Sequence, residues 1–139
     1  MCLYTKNKDP FKTDKPIEVY KILLKHKGKW VAPYQMFGDV SYVYKRGLNY
    51  PKGSCLPIRS FCGWRVGDGC LHSFLTNQEA IINIVSLKMY HPKLKFRIFK
   101  MYIPKDSYIY INEGGTCICS DKLLWKYFNH VPVFKYKRS

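Results

Sequence analysis

The chain has 139 residues, of which 47% are hydrophobic and 17% aromatic, and 24 Lys and Arg against 9 Asp and Glu give a formal net charge of +15. A domain of about 150 residues buries roughly 70% of the surface of its unfolded chain, so a core can form without disulfides or a bound metal. The apolar content excludes a disordered basic tail. We therefore expect a single domain spanning residues 1–139, with the positive charge carried on its folded surface.

The excess of cationic side chains predicts an anionic partner, because it concentrates nucleotides, nucleic acids and acidic proteins around the chain. We expect a small anionic molecule first, with nucleic acid as the alternative, and formation of a homo-oligomer stays open. A basic balance that only keeps the domain in solution is the competing interpretation. No apolar run approaches the ~18 residues that a membrane span needs, and residues 1–6 lack the apolar core of a signal peptide. The sequence therefore predicts no membrane partner and a cytoplasmic location.

The chain contains six cysteines, which a reducing cytoplasm would keep as thiols. A zinc site is the alternative, since Cys55, Cys62, Cys70 and His72 lie close together in the sequence. Structural zinc sites usually pair cysteines separated by two to four residues. Here six and seven residues separate the three cysteines, and the remaining pair at 117 and 119 is separated by one. We expect neither a metal nor a cofactor.

The first half of the chain is predicted to contain an arm, three strands and a loop. Residues 1–16 are polar and interrupted by two prolines, which is typical of an arm that leads into a fold. Residues 17–25 are rich in Ile, Val and Leu and predict the first strand, and residues 30–34 and 42–44 predict shorter ones. Residues 47–70 contain five Gly and two Pro and show little periodicity. Such a segment predicts a long loop that is functional or mobile.

The second half begins with a helix signal. Thr76 and Glu79 form a capping box, apolar residues then recur at helical spacing, and Pro92 follows, so residues 77–90 predict one amphipathic helix. Alternation predicts a half-buried strand over residues 94–103, and further strands are expected at 108–111, 116–128 and 131–137. The expected fold is α+β: one mostly antiparallel, strongly twisted or split sheet of about six to seven strands with the helix packed on it.

The string Gly69–Phe74 is the first candidate site. It joins the glycine-rich segment to the capped helix, and main-chain N–H groups at a helix N-terminus attract anions. His72 and Ser73, with Thr76 nearby, are therefore candidates for the lining of a phosphate or nucleotide pocket. In the alternative interpretation His72 is a histidine at the edge of the core with satisfied hydrogen bonds, and Ser73 is a packing residue.

Basic and aromatic residues alternate in several segments, among them residues 42–46 and 134–138. Tyrosines that share a basic face can stack on bases. Strand alternation produces the same pattern in a core with a solvated face, so the pattern alone does not decide between the two. The candidate ligand-binding residues on these and neighbouring segments are Tyr20, Lys21, Tyr44, Arg46 and Arg65.

Motifs of known catalytic sites are missing from the sequence. It contains no G-x-S-x-G, no P-loop, no G-x-G-x-x-G and no paired carboxylates. Glu113 and Asp121 are the least committed of the nine acids, yet a turn residue and a surface charge are the simpler interpretations of the two. We assign no catalytic residue from the sequence.

Three parts of the sequence together resemble a known family: Met1–Tyr4 with Glu18–Leu23, Gly69–Phe74, and Tyr102–Ile111. The family consists of small proteins from bacteriophages and gut anaerobes, with G-F-H-S-F/Y before a helix and I-P-K-G-S-x-Y-Y-I after it. This chain has Cys70-Leu71 at the Gly-Phe step and Asp106 in place of the second Gly. The resemblance implies a phage protein in the host cytoplasm, and it implies no activity.

More distantly, the chain is similar to ADP-ribosyltransferase-like folds. The similar strings are Tyr20-Lys21 on the first strand, Leu71–Thr76 before the helix and Ile103–Ser107 on a later strand. This resemblance implies a nicotinamide-nucleotide pocket, and an enzyme of this kind would use His72, Tyr20 and Glu113. Glu113 lies in a Gly-rich turn, which puts the counterpart of the family's catalytic Glu in doubt.

We therefore expect a non-enzymatic protein that binds an anionic nucleotide or a nucleotide-derived ligand, such as a signalling molecule of the host's defence. An ADP-ribosyltransferase-like enzyme and a basic module for nucleic acid or protein are the two alternatives. A deep cleft lined by Tyr, Lys and His72 would favour the first hypothesis. A carboxylate facing that cleft would favour the enzyme, and a flat basic face would favour the module.

Overall fold

A computed structural model describes residues 3–5, 8–33, 43–51, 57–60, 63–66, 70–127 and 130–132. Within these ranges the chain forms one helix, α1 (Asn77–Tyr90), and fourteen short to medium strands. The strands are β1 (Leu3–Thr5), β2 (Phe11–Lys12), β3 (Ile17–His26), β4 (Lys29–Val31), β5 (Val43–Tyr44), β6 (Gly47–Asn49), β7 (Ile58–Ser60), β8 (Gly63–Val66), β9 (Leu71–Phe74), β10 (Phe96–Ile103), β11 (Tyr108–Ile111), β12 (Cys117–Ser120), β13 (Leu123–Trp125) and β14 (His130–Val131).

The strands form two antiparallel sheets. The larger has eleven strands, with the central order β2-β11-β12-β9-β3-β10-β13-β6, and β4 pairs with β3 and β5 while β14 pairs with β10. The smaller has the order β1-β8-β7. The mostly antiparallel α+β class predicted from the sequence is confirmed. The predicted number of six to seven strands is wrong, because the structure has more strands than that in the larger sheet alone.

The additional strands lie in segments that the sequence analysis treats as irregular. Residues 1–16, predicted as an arm, contain β1 and β2, and residues 47–70, predicted as a loop, contain β6, β7 and β8. The short strands β1 and β8 pair with each other, and their backbones come close together at Gly63 and Thr5. A Cβ added to Gly63 would lie 3.0 Å from the carbonyl oxygen of Thr5, and Gly63 has φ +111°, so only glycine allows this approach.

Strand β3 is central because both faces of the sheet are covered around it. Its residues 21–24 are all buried, in keeping with the apolar run of the sequence. It pairs with β10 over eight positions, from Ile17 opposite Ile103 to Leu24 opposite Phe96. Side chains alternate between the two faces along both strands, and they therefore contribute to two cores, one on each face.

We call the face that α1 covers the helix face, and the opposite face the distal face. The helix-face core contains Ala80 and Ile84 of α1 with sheet residues Ile22, Leu24, Phe96 and Ile98. The distal-face core is richer in aromatics: the ring of Phe99 lies 5.0 Å from that of Trp30 and 4.8 Å from that of Trp125. Its other members include Val19, Leu23, Met101, Ile103 and Leu123.

Helix α1 begins and ends where the sequence predicts. The hydroxyl oxygen of Thr76, the N-cap, accepts a hydrogen bond from the Glu79 N–H at 3.2 Å, and His91 is the C-cap directly before Pro92. The prediction that the apolar residues of this helix face the core is only partly correct. Ala80 and Ile84 are buried, whereas Val85 is 46% and Met89 76% exposed. No helix of the described residues is long and apolar enough to cross a membrane.

The Thr76 cap gives a direct test of this helix start. We expect Thr76→Ala to lower the free energy of unfolding by about 1 kcal/mol, because the Glu79 N–H loses its side-chain acceptor. Thr76→Ser keeps the hydroxyl and should stay close to the wild type. Urea denaturation followed by circular dichroism measures both, and equal midpoints for the two variants would contradict the cap.

Candidate functional site

His72 lies in the middle of β9, where the sheet holds it opposite Cys119 of β12. Its side chain is buried, and its Nδ1 atom lies 3.0 Å from the Cys119 sulfur. A neutral imidazole can accept the thiol proton at this distance, and an imidazole N–H can donate to a thiolate. His72 precedes the N-cap of α1 by four residues, and its ring contacts the Cys119 sulfur within the sheet.

Lys21 is a buried ammonium at the point where β3 and β9 diverge. The two strands share one Cα pair, Tyr20 opposite Phe74, and beyond it the Lys21 ammonium donates to the carbonyl oxygen of His72. The Nζ atom also lies 4.9 Å from the centre of the Tyr44 ring. The Lys21 ammonium thus gives the His72 carbonyl oxygen the hydrogen bond that a main-chain N–H of a neighbouring strand gives in a regular sheet.

Burial changes the ionisation of this ammonium. Lys21 is 6% exposed, and loss of hydration lowers its pKa from 10.5 to about 8, while the negative charge available at Cys119 acts in the opposite direction. Ser73 adds a second polar group: it is 2% exposed and its hydroxyl has no hydrogen-bond partner. We call Lys21, Tyr44, His72, Ser73 and Cys119 the Lys21 cluster.

The structure therefore brings together four of the eight predicted ligand-binding residues and leaves four outside the Lys21 cluster. The hydroxyl of Tyr20, next to Lys21 in β3, donates instead to a Glu18 carboxylate oxygen at 2.8 Å. Thr76 is the exposed helix cap, and Arg46 is exposed beside β6. Arg65 is exposed on β8, in the smaller sheet.

The two acids considered for catalysis both lie in turns. Glu113 is exposed in the turn over residues 112–115, where Asn112 accepts from the N–H groups of Thr116 at 2.9 Å and Cys117 at 3.0 Å. Asp121 accepts from the N–H of Tyr108 at 2.9 Å. Both positions suit turn formation, which is the simpler interpretation that the sequence offers for them.

A groove at the edge of β10 is the second polar feature, and sequence reasoning missed it. It encloses about 240 Å³ between the C-terminal half of α1 and strands β10 and β14. Its apolar side chains are those of Ile84, Phe96, Ile98 and Val131. Lys88, Arg97, His130 and Pro132 are the other described residues that line it.

Topology builds this groove from three separated segments. Ile84 and Lys88 stand one turn apart on α1 and so face the same way. Strand β14 lies beside β10, with Val131 opposite Ile98 and His130 opposite Phe99. The Arg97 guanidinium donates to the carbonyl of Phe96 at 3.0 Å, which fixes one of its five N–H groups at the rim.

The groove combines positive charge with an apolar surface. Among the described residues, its lining includes Lys and Arg and no carboxylate. An ammonium is a compact point charge, whereas a guanidinium offers a planar fork for two oxygens of an anion. This arrangement can hold an anion that also has an apolar or flat part. The signal in the sequence is faint, since Lys88 and Arg97 belong to no motif and only tertiary pairing adds His130.

The cysteines are in two different states. Cys70 is disulfide-bonded, whereas Cys117 and Cys119 are thiols. The expectation of thiols is therefore wrong at Cys70, and the cytoplasmic prediction loses the support that it drew from that expectation. The Cys70 sulfur lies 3.1 Å from the carbonyl oxygen of Ser120, a contact in which a disulfide sulfur has no proton to donate.

In the described part of the chain, no three His, Cys, Asp or Glu are grouped as metal ligands.

Comparison with protein-family models, with curated proteins and with solved structures finds no match for this chain. The geometry of the described residues therefore carries the functional inference.

The lowered pKa of Lys21 predicts a pH-dependent stability. Between pH 8 and 10.5 the unfolded state holds the Lys21 proton and the folded state has released it, so the free energy of unfolding rises with pH. The rise should amount to about 3 kcal/mol at most across this window. In Lys21→Met this rise in the free energy of unfolding should be absent.

Denaturant unfolding of both proteins between pH 7 and 10.5 measures this difference. Lys12→Met, which removes an exposed lysine from β2, serves as the matched control and should follow the wild type. Parallel pH profiles for the wild type and Lys21→Met would contradict the buried ammonium.

Proposed function

We propose that the protein binds an anionic small molecule of the nucleotide class, without converting it, in the groove between α1 and β14. The observation that carries the proposal is that Lys88, Arg97 and His130 line the groove together and that its described lining residues include no carboxylate. Phosphate oxygens suit the two cationic side chains, and the half-buried Val131 offers an apolar contact to the rest of the ligand.

The volume of the groove limits which part of the ligand it can enclose. Ligand pockets usually measure about 300–1,000 Å³, and this groove measures about 240 Å³. A mononucleotide or one end of a larger molecule therefore fits, and the second half of a dinucleotide would remain outside. We infer that recognition is directed at one nucleotide unit.

The net charge of the chain supports the same proposal at longer range. A charge of +15 attracts phosphates before contact, over a Debye length of about 8 Å at physiological salt. The described part of the lining offers the imidazole of His130 as an acid–base group and no carboxylate or thiol as nucleophile. Binding is therefore better supported than catalysis. If the chain is phage-encoded, as the resemblance implies, sequestration of a host defence signal is the role that we propose.

Nucleic-acid binding on an open basic face is a second candidate, favoured by one surface feature. On strand β2, Lys12 stands opposite Tyr108 of β11, so the two side chains share a face of the sheet. Both are exposed, and the neighbouring Phe11 is 59% exposed. A cationic side chain beside an exposed aromatic ring is the arrangement used to bind single strands by backbone charge and base stacking.

A ligand screen with rim variants tests the groove. A thermal-shift panel of nucleoside phosphates, cyclic dinucleotides and oligonucleotides identifies the probe, and calorimetry measures its affinity. We expect Arg97→Ala and Lys88→Ala each to weaken binding about 10- to 100-fold, since a hydrogen bond to a charged group contributes roughly 1.5–3 kcal/mol. Lys105→Ala, at an exposed turn, is the matched control and should bind normally.

Two outcomes would contradict the proposal. One is a panel in which no nucleotide raises the melting temperature. The other is a probe whose affinity falls equally in all three variants and steeply with salt, which is the behaviour of diffuse electrostatic binding. The second outcome would replace the groove with the nucleic-acid candidate.

A further inference from the structure

Helix α1 covers only one part of the helix face of the larger sheet. It packs on Ile22 and Leu24 of β3 and on Phe96 and Ile98 of β10. Further along these two strands, the residues of the same face are half-buried or exposed. We call this part of the sheet the open face. Its described residues are Glu18, Tyr20, Leu48, Lys100, Tyr102 and Leu124.

The register carries the open face across four neighbouring strands. Tyr102 of β10 stands opposite Glu18 of β3 and, on its other side, opposite Leu124 of β13. Leu124 in turn stands opposite Leu48 of β6. Residues that are directly opposite each other share a face of the sheet. These four side chains therefore form one row, which spans about 14 Å at roughly 4.8 Å per strand.

Burial separates the open face from the core on the other side of the same strands. Leu48 is 39% exposed, and the remaining open-face residues are half-buried or exposed. The residues between them belong to the distal-face core and are buried: Val19, Met101, Ile103, Leu123 and Trp125. The distal-face core is thus filled without the two tyrosines and two leucines of the open face.

An acid on the open face fixes the position of one tyrosine. A Glu18 carboxylate oxygen accepts from the Tyr20 hydroxyl at 2.8 Å, and the Lys100 ammonium lies 3.4 Å from the same oxygen. Tyr102 stands opposite Glu18 and is the diagonal neighbour of Tyr20 across β3 and β10. Diagonal neighbours lie within reach of aromatic side chains. The open face therefore presents two neighbouring rings, one of them already oriented, which lowers the entropic cost of binding.

Cationic side chains adjoin the open face at the end of β6 and β13. The last register pair of these strands is Gly47 opposite Trp125. Because the strands are antiparallel, the next residues, Arg46 and Lys126, lie at the same end, and both are exposed. The Lys126 Nζ atom lies 5.5 Å from the centre of the Tyr127 ring, which is 53% exposed. Positive charge and a further aromatic ring therefore lie beside the row of Leu and Tyr side chains.

We propose that the open face binds single-stranded nucleic acid, with Tyr20 and Tyr102 stacking on bases and Lys126 and Arg46 holding the phosphates. Aromatic rings on an uncovered sheet face stack on unpaired bases, and cationic side chains beside them follow the backbone. The charge fits a polyanion, since Glu18 is the one acid among the described residues of the open face. This site lies on other strands than β2 and β11, and it does not rest on ligand binding in the groove.

Fluorescence anisotropy at physiological salt tests the proposal. The probes are a labelled oligothymidylate and a labelled oligouridylate of about 12 nucleotides, since such sites cover roughly 4–16 nucleotides, and a DNA duplex of the same length. We expect both single strands to bind, and Tyr102→Ala to weaken their binding about tenfold or more through lost stacking. Tyr102→Phe keeps the ring and should bind as the wild type does. Duplex binding should be the same in all three proteins, because paired bases are already stacked.

Two further variants separate stacking from charge. Tyr90→Ala removes a tyrosine that is 80% exposed at the end of α1, and this matched control should bind the single strands normally. Lys126→Ala should reduce the slope of log affinity against log salt by about 0.7, the value for one phosphate contact on a single strand. Tyr102→Ala should leave that slope unchanged.

Circular dichroism establishes that each variant is folded, and the exposed Lys126 tests the site independently if Tyr102→Ala does not fold. The proposal is overturned if neither single strand binds, or if Tyr102→Ala and Tyr90→Ala bind equally well. Loss of affinity in Arg97→Ala but not in Tyr102→Ala would assign the strand to the groove. The same result with Tyr108→Ala would assign it to β2 and β11, and either assignment overturns the open face as the site.

Discussion

The pairing of β3 with β10 over eight consecutive positions is the constraint on which the other features depend. Side chains alternate between the two faces of a sheet. A shift of β3 by one residue would therefore move each of its side chains to the opposite face. It would move Lys21 under α1 and Ile22 to the distal face. The observed register sets Lys21 opposite Phe99 and Ile98 opposite Ile22. The buried ammonium and the floor of the groove are thus fixed by one pairing.

Elements long enough to show a period could be predicted from the sequence. Helix α1 has fourteen residues and a capping side chain, and β3 and β10 have ten and eight residues with apolar runs or alternation. Strands β2, β5 and β14 have two residues each, and so few residues carry no period. A neighbouring strand decides whether such a segment is extended. The sequence therefore predicted the class of the fold and underestimated its number of strands.

The candidate site was predictable in part for the same reason. Lys21 and His72 come together because β9 pairs with β3, and each was singled out within a recognisable string. That Lys21 would serve a main-chain carbonyl depends on where two strands diverge, which the sequence does not show. The groove depends on β14 lying beside β10, a contact between residues more than thirty positions apart. Arg97 and His130 therefore belong to no local pattern that could have identified them.

Several buried polar groups around β9 and β12 lack a hydrogen-bond partner or have lost their hydration. The ammonium of Lys21 is desolvated there, and the hydroxyl oxygens of Ser73 and Ser120 are buried without hydrogen-bond partners. Each unsatisfied group costs roughly 1–3 kcal/mol, a considerable part of the 5–15 kcal/mol by which a domain is usually stable. Sequences that depart from good packing at one place usually do so at a functional site. The distal-face core shows that this chain can fill its interior with apolar side chains, so packing alone does not require polar residues on β9 and β12. Their presence beside the Cys119–His72 pair is the physical reason to look for chemistry at these strands as well as for binding in the groove.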